Sequence, residues 1–268
     1  MLNETWKKLQ NGSDIRGVAM EGVAGQPVNL TPEIAKQIAC SFGAWLSERT
    51  GKLLSELTVA VGNDSRLSAG ELNGAVTQGL SMLGITVVNC GLCSTPAMFM
   101  TTVMEGYRYD GSVMLTASHL PFNRNGLKFF TKDGGLEKSD ITAILELAQE
   151  KIYTKAGKPG AIKSLDFIQV YAADIVRKIR NKTGEERPLE GFRIIVDAGN
   201  GAGGFYADQV LKPLGACTEG SQFLNPDGSF PNHIPNPEDK TAMASIQKAV
   251  LAFHADLGII FDTDVDRA

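Results

Sequence analysis

The stretch Leu57-Thr-Val-Ala-Val61-Gly-Asn-Asp-Ser-Arg-Leu-Ser68-Ala-Gly-Glu71-Leu72 decides the fold class. Residues 57–61 form a short apolar run with β-branched members, the composition of a buried strand. A polar break follows. Ser68 and Glu71 then have the spacing of a capping box, which Leu67 and Leu72 can extend into a hydrophobic staple. The order is therefore strand, loop, helix.

The same alternation continues on both sides. Thr31-Pro32 reads as a helix start, because the hydroxyl can cap free amides and proline tolerates the first turn. Ile34, Ile38, Phe42 and Trp45 then share one apolar face. Residues 85–89 read as a strand, Pro96 opens a short helix, and residues 112–116 form a strand that delivers Ser118 into a loop. Residues 127–130 return as a strand before a helix over 136–150. Strands alternating with helices predict α/β architecture, with a parallel or mixed sheet covered by helices.

Thr154-Lys-Ala-Gly-Lys-Pro-Gly-Ala161 is short, polar and rich in breakers, and it marks the first domain boundary. A helix over 166–179 bridges to a second α/β region, and the charged run 181–188 reads as a solvated loop. Residues 193–197 form a strand, Gly199-Asn-Gly-Ala-Gly-Gly204 turns into a helix, and residues 216–219 read as another strand. Asn236-Pro-Glu-Asp239 places a cap, a proline and an N3 acid in register for a helix that feeds the strand Leu257-Gly-Ile-Ile-Phe261.

Bulk properties narrow the function classes. A chain of 268 residues with 43% apolar content can bury one large or two medium cores. The net charge of −4 arises from 26 basic and 30 acidic side chains mixed along the chain. No basic stripe is available to track nucleic acid. No apolar run reaches membrane-spanning length and the N-terminus lacks a signal-peptide pattern, so no membrane partner and a cytoplasmic location are expected. The four cysteines, Cys40, Cys90, Cys93 and Cys217, do not make a disulfide framework. Cys90-Gly-Leu-Cys93 lacks a second ligand pair and reads as ordinary thiols.

Two polar segments carry the chemistry. Thr116-Ala-Ser118-His119, followed by Lys128, offers a hydroxyl beside an imidazole and an amine, at a strand end where ligands of open α/β sheets gather. A hydrogen-bonded loop is the plain alternative. No G-x-S-x-G elbow supports a serine hydrolase. Asp262-Thr-Asp264-Val-Asp266-Arg267 presents alternate carboxylates after an apolar strand, a loop suited to magnesium completed by phosphate oxygens. Phosphoryl transfer is the leading reading. Asp262-Thr-Asp264 also fits an aspartyl-phosphate phosphatase with Asp262 as nucleophile, which leaves Ser118 without a role. The glycines at 199–204 miss the full dinucleotide fingerprint, and tight strand-to-helix packing explains them better. Arg16, in Asp14-Ile-Arg16-Gly17, can hold an anion or form a surface ion pair. His233 and His254 lack metal partners at motif spacing.

Taken together, these segments resemble the alpha-D-phosphohexomutase family of phosphoglucomutases and phosphomannomutases. The matching residues are Gly12-Ser-Asp-Ile-Arg-Gly17, Val61-Gly-Asn-Asp-Ser-Arg66, Thr116-Ala-Ser-His-Leu-Pro121 with Asn125-Gly-Leu-Lys128, Asp197-Ala-Gly-Asn-Gly-Ala-Gly-Gly204, Pro226-Asp-Gly-Ser-Phe-Pro231 with Pro235-Asn-Pro237, and Asp262 to Arg267. The resemblance implies two consecutive three-layer α/β/α domains with mixed sheets, over 1–162 and 163–268, with the second domain and the parent protein continuing beyond this sequence.

It further implies that Ser118 is a phosphoserine exchanging its phosphoryl group with a sugar phosphate. By the same resemblance Ser118, Asp262, Asp264 and Asp266 ligate Mg2+, Lys128 transfers the proton, and His119, Arg16 and Arg267 support the transferring group. A hexose 1,6-bisphosphate is then the intermediate and activator, and hexose 1- and 6-phosphates are the partners. Leu120 stands where the family usually has asparagine, a contact Asn123 could replace. Asn63 stands where a basic residue is common. A non-enzymatic sugar-phosphate-binding protein is the other class such a chain could represent. The missing C-terminal domains of the parent would carry sugar selection, leaving residues 1–268 impaired on their own.

Overall fold

A computed structural model describes residues 1–268 and contains two compact units. The first comprises residues 1–63, 68–91 and 98–165, and the second comprises 64–67, 92–97 and 166–268. No helix is long and apolar enough to cross a membrane.

The first unit is built on an eight-stranded mixed sheet. Its strands are β1 (Gln10–Asn11), β2 (Asp14–Val18), β3 (Thr58–Asn63), β4 (Thr86–Leu92), β5 (Gly111–Leu115), β6 (Arg124–Thr131), β7 (Gly134–Gly135) and β8 (Ile162–Ser164). The order is β1-β2-β6-β5-β3-β4-β8, with β7 beside β6. β3 and β5 run parallel, while β6 is antiparallel to both β2 and β5. β8 spans the 162/163 division expected from sequence, because its backbone extends the sheet beside β4. The preceding glycine-rich segment is likewise docked, with Gly160 N donating to Ser81 O at 2.8 Å.

Alternation along the strands separates two faces. Ile15, Val113, Leu115, Leu127 and Phe129 face a core shared with α2 (Pro32–Thr50), α3 (Ala69–Met82) and α5 (Lys138–Glu150), while α1 (Glu4–Lys7) lies at its margin through Trp6. α2 begins as the sequence predicts: Thr31 Oγ1 accepts from Ile34 N at 3.3 Å, and Gly51 ends the helix at a φ of 71°. α4 (Thr95–Val103) covers the opposite face, where Ser112 Oγ donates to Met98 O at 2.8 Å and Phe99 meets Phe130. These are the three layers expected of an α/β/α domain.

One start signal fails. Ser68 precedes α3 in αR geometry and makes no capping bond, and Leu67 is exposed, so neither the capping box nor the staple forms. Its hydroxyl instead accepts from Asn125 Nδ2 at 2.9 Å, a partner 57 residues away that local pattern could not reveal.

The second unit places β9 (Ile194–Asp197) parallel to β10 (Leu257–Ile260) between two helical layers. Ile195 and Ile260 pack on α7 (Lys240–Phe253), whereas Ile194, Val196 and Phe261 face the turn Tyr206–Leu211. α6 (Phe167–Thr183), capped by Asp166, joins that second layer. The strand expected over 216–219 is reduced to two isolated bridges, Cys217 to Arg193 just before β9 and Gln222 to Asp197 at its end. Ser221 Oγ accepts from Val196 N at 3.0 Å, taking a donor that a regular ladder would need. The glycines at 199–204 lead into a 3₁₀ turn and then a π turn, not a regular α-helix. α7 starts later than expected: Asp239 is its cap, while Asn236 Oδ1 closes a local turn by accepting from Glu238 N.

Candidate active site

Ser118 follows β5, all five of whose residues are buried. Its φ is 52°, a left-handed conformation that a non-glycine residue adopts at a cost unless surrounding bonds impose it. Those bonds are present. Thr116 Oγ1 accepts from Ser118 N at 2.8 Å, and Leu120 N donates to Ala117 O at 3.1 Å. Ser118 is fully buried, and its Oγ lies 3.4 Å from His119 Nδ1.

The neighbouring strands supply two basic side chains to one sheet face. Arg16 of β2 pairs with Gly126 of β6, and Lys128 lies two residues further along β6 opposite Met114. Period-two alternation therefore puts Arg16 and Lys128 on the same side, away from the Ile15 and Leu127 core. Gly126 permits this closeness: a Cβ there would lie 2.3 Å from Ile15 O and 2.8 Å from Thr116 O. Arg16 Nη2 donates to Asp14 Oδ2 at 2.9 Å, while its buried Nε has no hydrogen-bond partner in the protein. A guanidinium with a spare buried donor is suited to an anion.

Asn123, the possible substitute for the residue missing at Leu120, is used elsewhere. Its Nδ2 donates to Gln26 Oε1 at 3.1 Å, and its carbonyl accepts from Ala19 N and Met20 N. It braces the serine loop against the 19–26 segment, and its side chain makes no bond to Ser118.

In the second unit the aspartate loop leaves β10. Asp262, Thr263 and Asp264 are fully buried and Asp266 is exposed. One ligand atom from each of the three aspartates lies within 4.8 Å of the others. Asp262 Oδ1 accepts from Asp266 N and Arg267 N at 3.2 and 3.3 Å, folding the loop back on its first carboxylate. Val265 supplies the reversal with a φ of 67°. Thr95, just before Pro96, donates its hydroxyl to Asp264 Oδ2 at 2.5 Å and its backbone N to Asp264 O at 2.8 Å. Gly201 lets the 199–204 turn approach the loop, since a Cβ there would lie 2.8 Å from Thr263 O. The oxygen-only donor set of three clustered carboxylates fits a hard divalent cation.

Sequence reasoning named Ser118, His119, Arg16 and Lys128, and the first unit brings them to one end of neighbouring strands. It also named the three aspartates, and the second unit clusters them; Arg267 lies beside them, with Nε 4.0 Å from Asp266 Oδ1. It missed Thr95, beside which only Pro96 was read, as the opening of a short helix. It also missed two buried ion pairs of the second unit. Arg66 and Asp64 meet at 3.3 Å with both side chains fully buried, the guanidinium 5.5 Å from the Phe230 ring centroid. His233 Nε2 lies 3.0 and 3.1 Å from the two oxygens of Asp197. Burial pushes the His233 pKa down, but Asp197 and the Ile234 carbonyl outweigh it and the net shift is upward.

Comparison with known proteins gives a consistent result. Residues 7–155 match the family described as phosphoglucomutase/phosphomannomutase, alpha/beta/alpha domain I, and residues 169–268 match domain II of the same series. A phosphoglucomutase of Neisseria meningitidis is 34% identical over 250 residues, covering 92% of this chain and 50% of that protein. A phosphomannomutase/phosphoglucomutase of Pseudomonas aeruginosa is 34% identical over 256 residues, covering 95% and 51%. A solved structure of a phosphoglucomutase/phosphomannomutase family protein from Burkholderia thailandensis superposes with a TM-score of 0.79 at 28% identity, covering 98% of this chain and 54% of that one. The chain spans about half the length of the curated relatives it matches.

Proposed function

The chain belongs to the phosphoglucomutase/phosphomannomutase family, and on that premise we propose that it supplies the phosphoserine half of a phosphohexomutase. The parent reaction interconverts hexose 1-phosphate and hexose 6-phosphate through a hexose 1,6-bisphosphate. The observation that carries this reading is a left-handed Ser118 just beyond β5, at the sheet end where Arg16 and Lys128 of the adjoining strands share one face across Gly126.

In the proposed step, phospho-Ser118 gives its phosphoryl group to a sugar hydroxyl. The sugar oxygen forms the new P–O bond as the Ser118 Oγ–P bond breaks. The hydroxyl proton passes to Lys128 Nζ in its neutral form, and the negative charge returns to Ser118 Oγ. The reverse transfer, from the other phosphate of the bisphosphate, restores the phosphoserine. Arg16 offsets charge on the transferring group with its spare Nε–H, and His119, with Nδ1 3.4 Å from Ser118 Oγ, supports that oxygen. Burial of Ser118 keeps water, the competing acceptor, from the phosphoester.

Asp262, Asp264 and Asp266 would hold Mg2+ together with a phosphoserine oxygen, and Arg267 would balance the charge beside them. When bound, the ion supplies electrostatic stabilisation of the phosphoryl oxygens. Because the relatives are about twice as long, residues 1–268 alone are proposed to exchange phosphate at Ser118 while turning over sugar phosphates poorly.

The test is intact mass before and after adding glucose 1,6-bisphosphate and Mg2+, starting from protein shown by peptide mapping to be unmodified. Addition of one phosphoryl group at Ser118, absent in Ser118→Ala, supports the proposal. A hydroxylamine-labile phosphate on Asp262 would replace it with the aspartyl-phosphate reading, and binding without transfer would favour a sugar-phosphate-binding protein.

A further inference from the structure

We infer that the first unit carries a second anion site, for a small phosphate-bearing molecule, at the end of the sheet opposite Ser118. Asp110 precedes β5 and Ser118 follows it, so the two sites are separated by the length of that strand, roughly 16 Å. A cavity of about 820 Å³ opens at the Asp110 end. That volume lies in the range of small-molecule pockets.

The lining is selective in charge. Arg49, Lys52, Arg108 and Lys132 face two carboxylates, Asp110 and Asp133. Asp110 is already committed: one oxygen pairs with Lys52 Nζ at 2.6 Å and the other accepts from Thr58 N at 2.8 Å. No carboxylate lies within ion-pair distance of Arg49, Arg108 or Lys132. Three unpaired cations around one concavity attract an anion more strongly than any of them does alone, because their fields add within low-dielectric walls. Arg49 is also held in place, its guanidinium 5.7 Å from the Trp45 ring centroid.

Arg108 is the second, independent observation. Its φ is 44°, in the turn between α4 and β5, a conformation that glycine adopts freely and a Cβ-bearing residue does not. The turn is closed by Arg108 N to Met104 O at 3.2 Å and Tyr109 N to Thr101 O at 3.0 Å, bonds that need no guanidinium. An arginine kept where glycine would be conformationally cheaper presents its planar fork to the cavity at a cost that a ligand contact would offset. Phosphate matches that fork better than a single carboxylate, since its oxygens can accept from Arg108 and Lys132 at once. Thr50 and Thr131 add hydroxyls to the lining for the remainder of the molecule.

The inference does not depend on the serine or aspartate loops, and its test separates the sites. The ¹⁵N-labelled 268-residue chain is titrated with sodium pyrophosphate in the presence of EDTA, and amide shifts are followed by residue. Saturable shifts are expected at Tyr109, Thr131 and Lys132, with the same midpoint in Ser118→Ala. Combining Arg108→Gly with Lys132→Gln is expected to weaken binding by about tenfold or more. Because Arg108→Gly removes a side chain from left-handed backbone, its unfolding temperature should hold or rise, which keeps the comparison free of misfolding. Shifts confined to residues 116–128, cavity shifts unaffected by the double variant, absence of saturable shifts, or equal competition by sulfate would each overturn the assignment.

Discussion

Replacing Thr95 by Val separates the two roles of the bond between Thr95 and Asp264. Valine keeps the shape of threonine and removes only the hydroxyl, so no cavity forms. The lost contact is an O–H···O⁻ hydrogen bond of 2.5 Å to a fully buried carboxylate, at the short end for charge-assisted bonds. Bonds of that class contribute about 1.5–3 kcal/mol, so Thr95→Val should destabilise the second unit by about 2 kcal/mol in EDTA.

Magnesium should enlarge the penalty. A ligating carboxylate that loses its outer hydrogen bond typically binds metal about 10–100-fold more weakly. In excess Mg2+ the variant should therefore fall a further ~1.4–2.7 kcal/mol behind the wild type by mass action. Urea denaturation in EDTA and in saturating Mg2+ reads both quantities from midpoints at constant slope, and a calorimetric Mg2+ titration reads the affinity directly. An equal penalty in both buffers would show that Thr95 supports the fold alone and would refute metal ligation by Asp264. No penalty in either would refute the hydrogen bond itself.

Gly126→Ala should cost roughly 3 kcal/mol, because the new Cβ meets backbone oxygens of Ile15 and Thr116 at 2.3 and 2.8 Å and neither can rotate away; an unchanged urea midpoint would contradict the close β2–β6–β5 approach beside the serine loop. The raised pKa of His233 means the fold favours its charged form, so the stability from the His233–Asp197 pair is fully present below the ordinary value of 6.5 and is lost as pH rises through the raised folded value. The stability gap between wild type and His233→Gln, measured by urea denaturation over roughly pH 5 to 9, should therefore narrow with pH. A gap that is flat or widens would show that the pair does not favour imidazolium.

Local pattern was legible wherever one segment could satisfy itself. Thr31-Pro32 predicted α2 because the cap and the φ of proline act within one turn. The apolar runs predicted β3, β5 and β9 because burial on both faces admits little else. It misled where a distant partner competed for the same atoms. Ser68 has the capping spacing, yet its hydroxyl serves Asn125; residues 216–219 have strand composition, yet the Ser221 side chain takes the Val196 donor.

The candidate chemistry divides in the same way. Sequence alone determined the residue types: a serine at a strand end beside histidine and lysine, and alternate aspartates after an apolar run. Those types set proton transfer and hard-metal ligation as the available chemistry. Only tertiary structure decided that Arg16 and Lys128 share a sheet face across Gly126, since cross-strand register is a property of pairing. Only it decided that Thr95 orients Asp264 across 169 residues, or that Arg66 is buried against Asp64. The physical reason is that a hydrogen bond or ion pair depends on distance in space, and the chain encodes that distance only through the packing of every element between the partners.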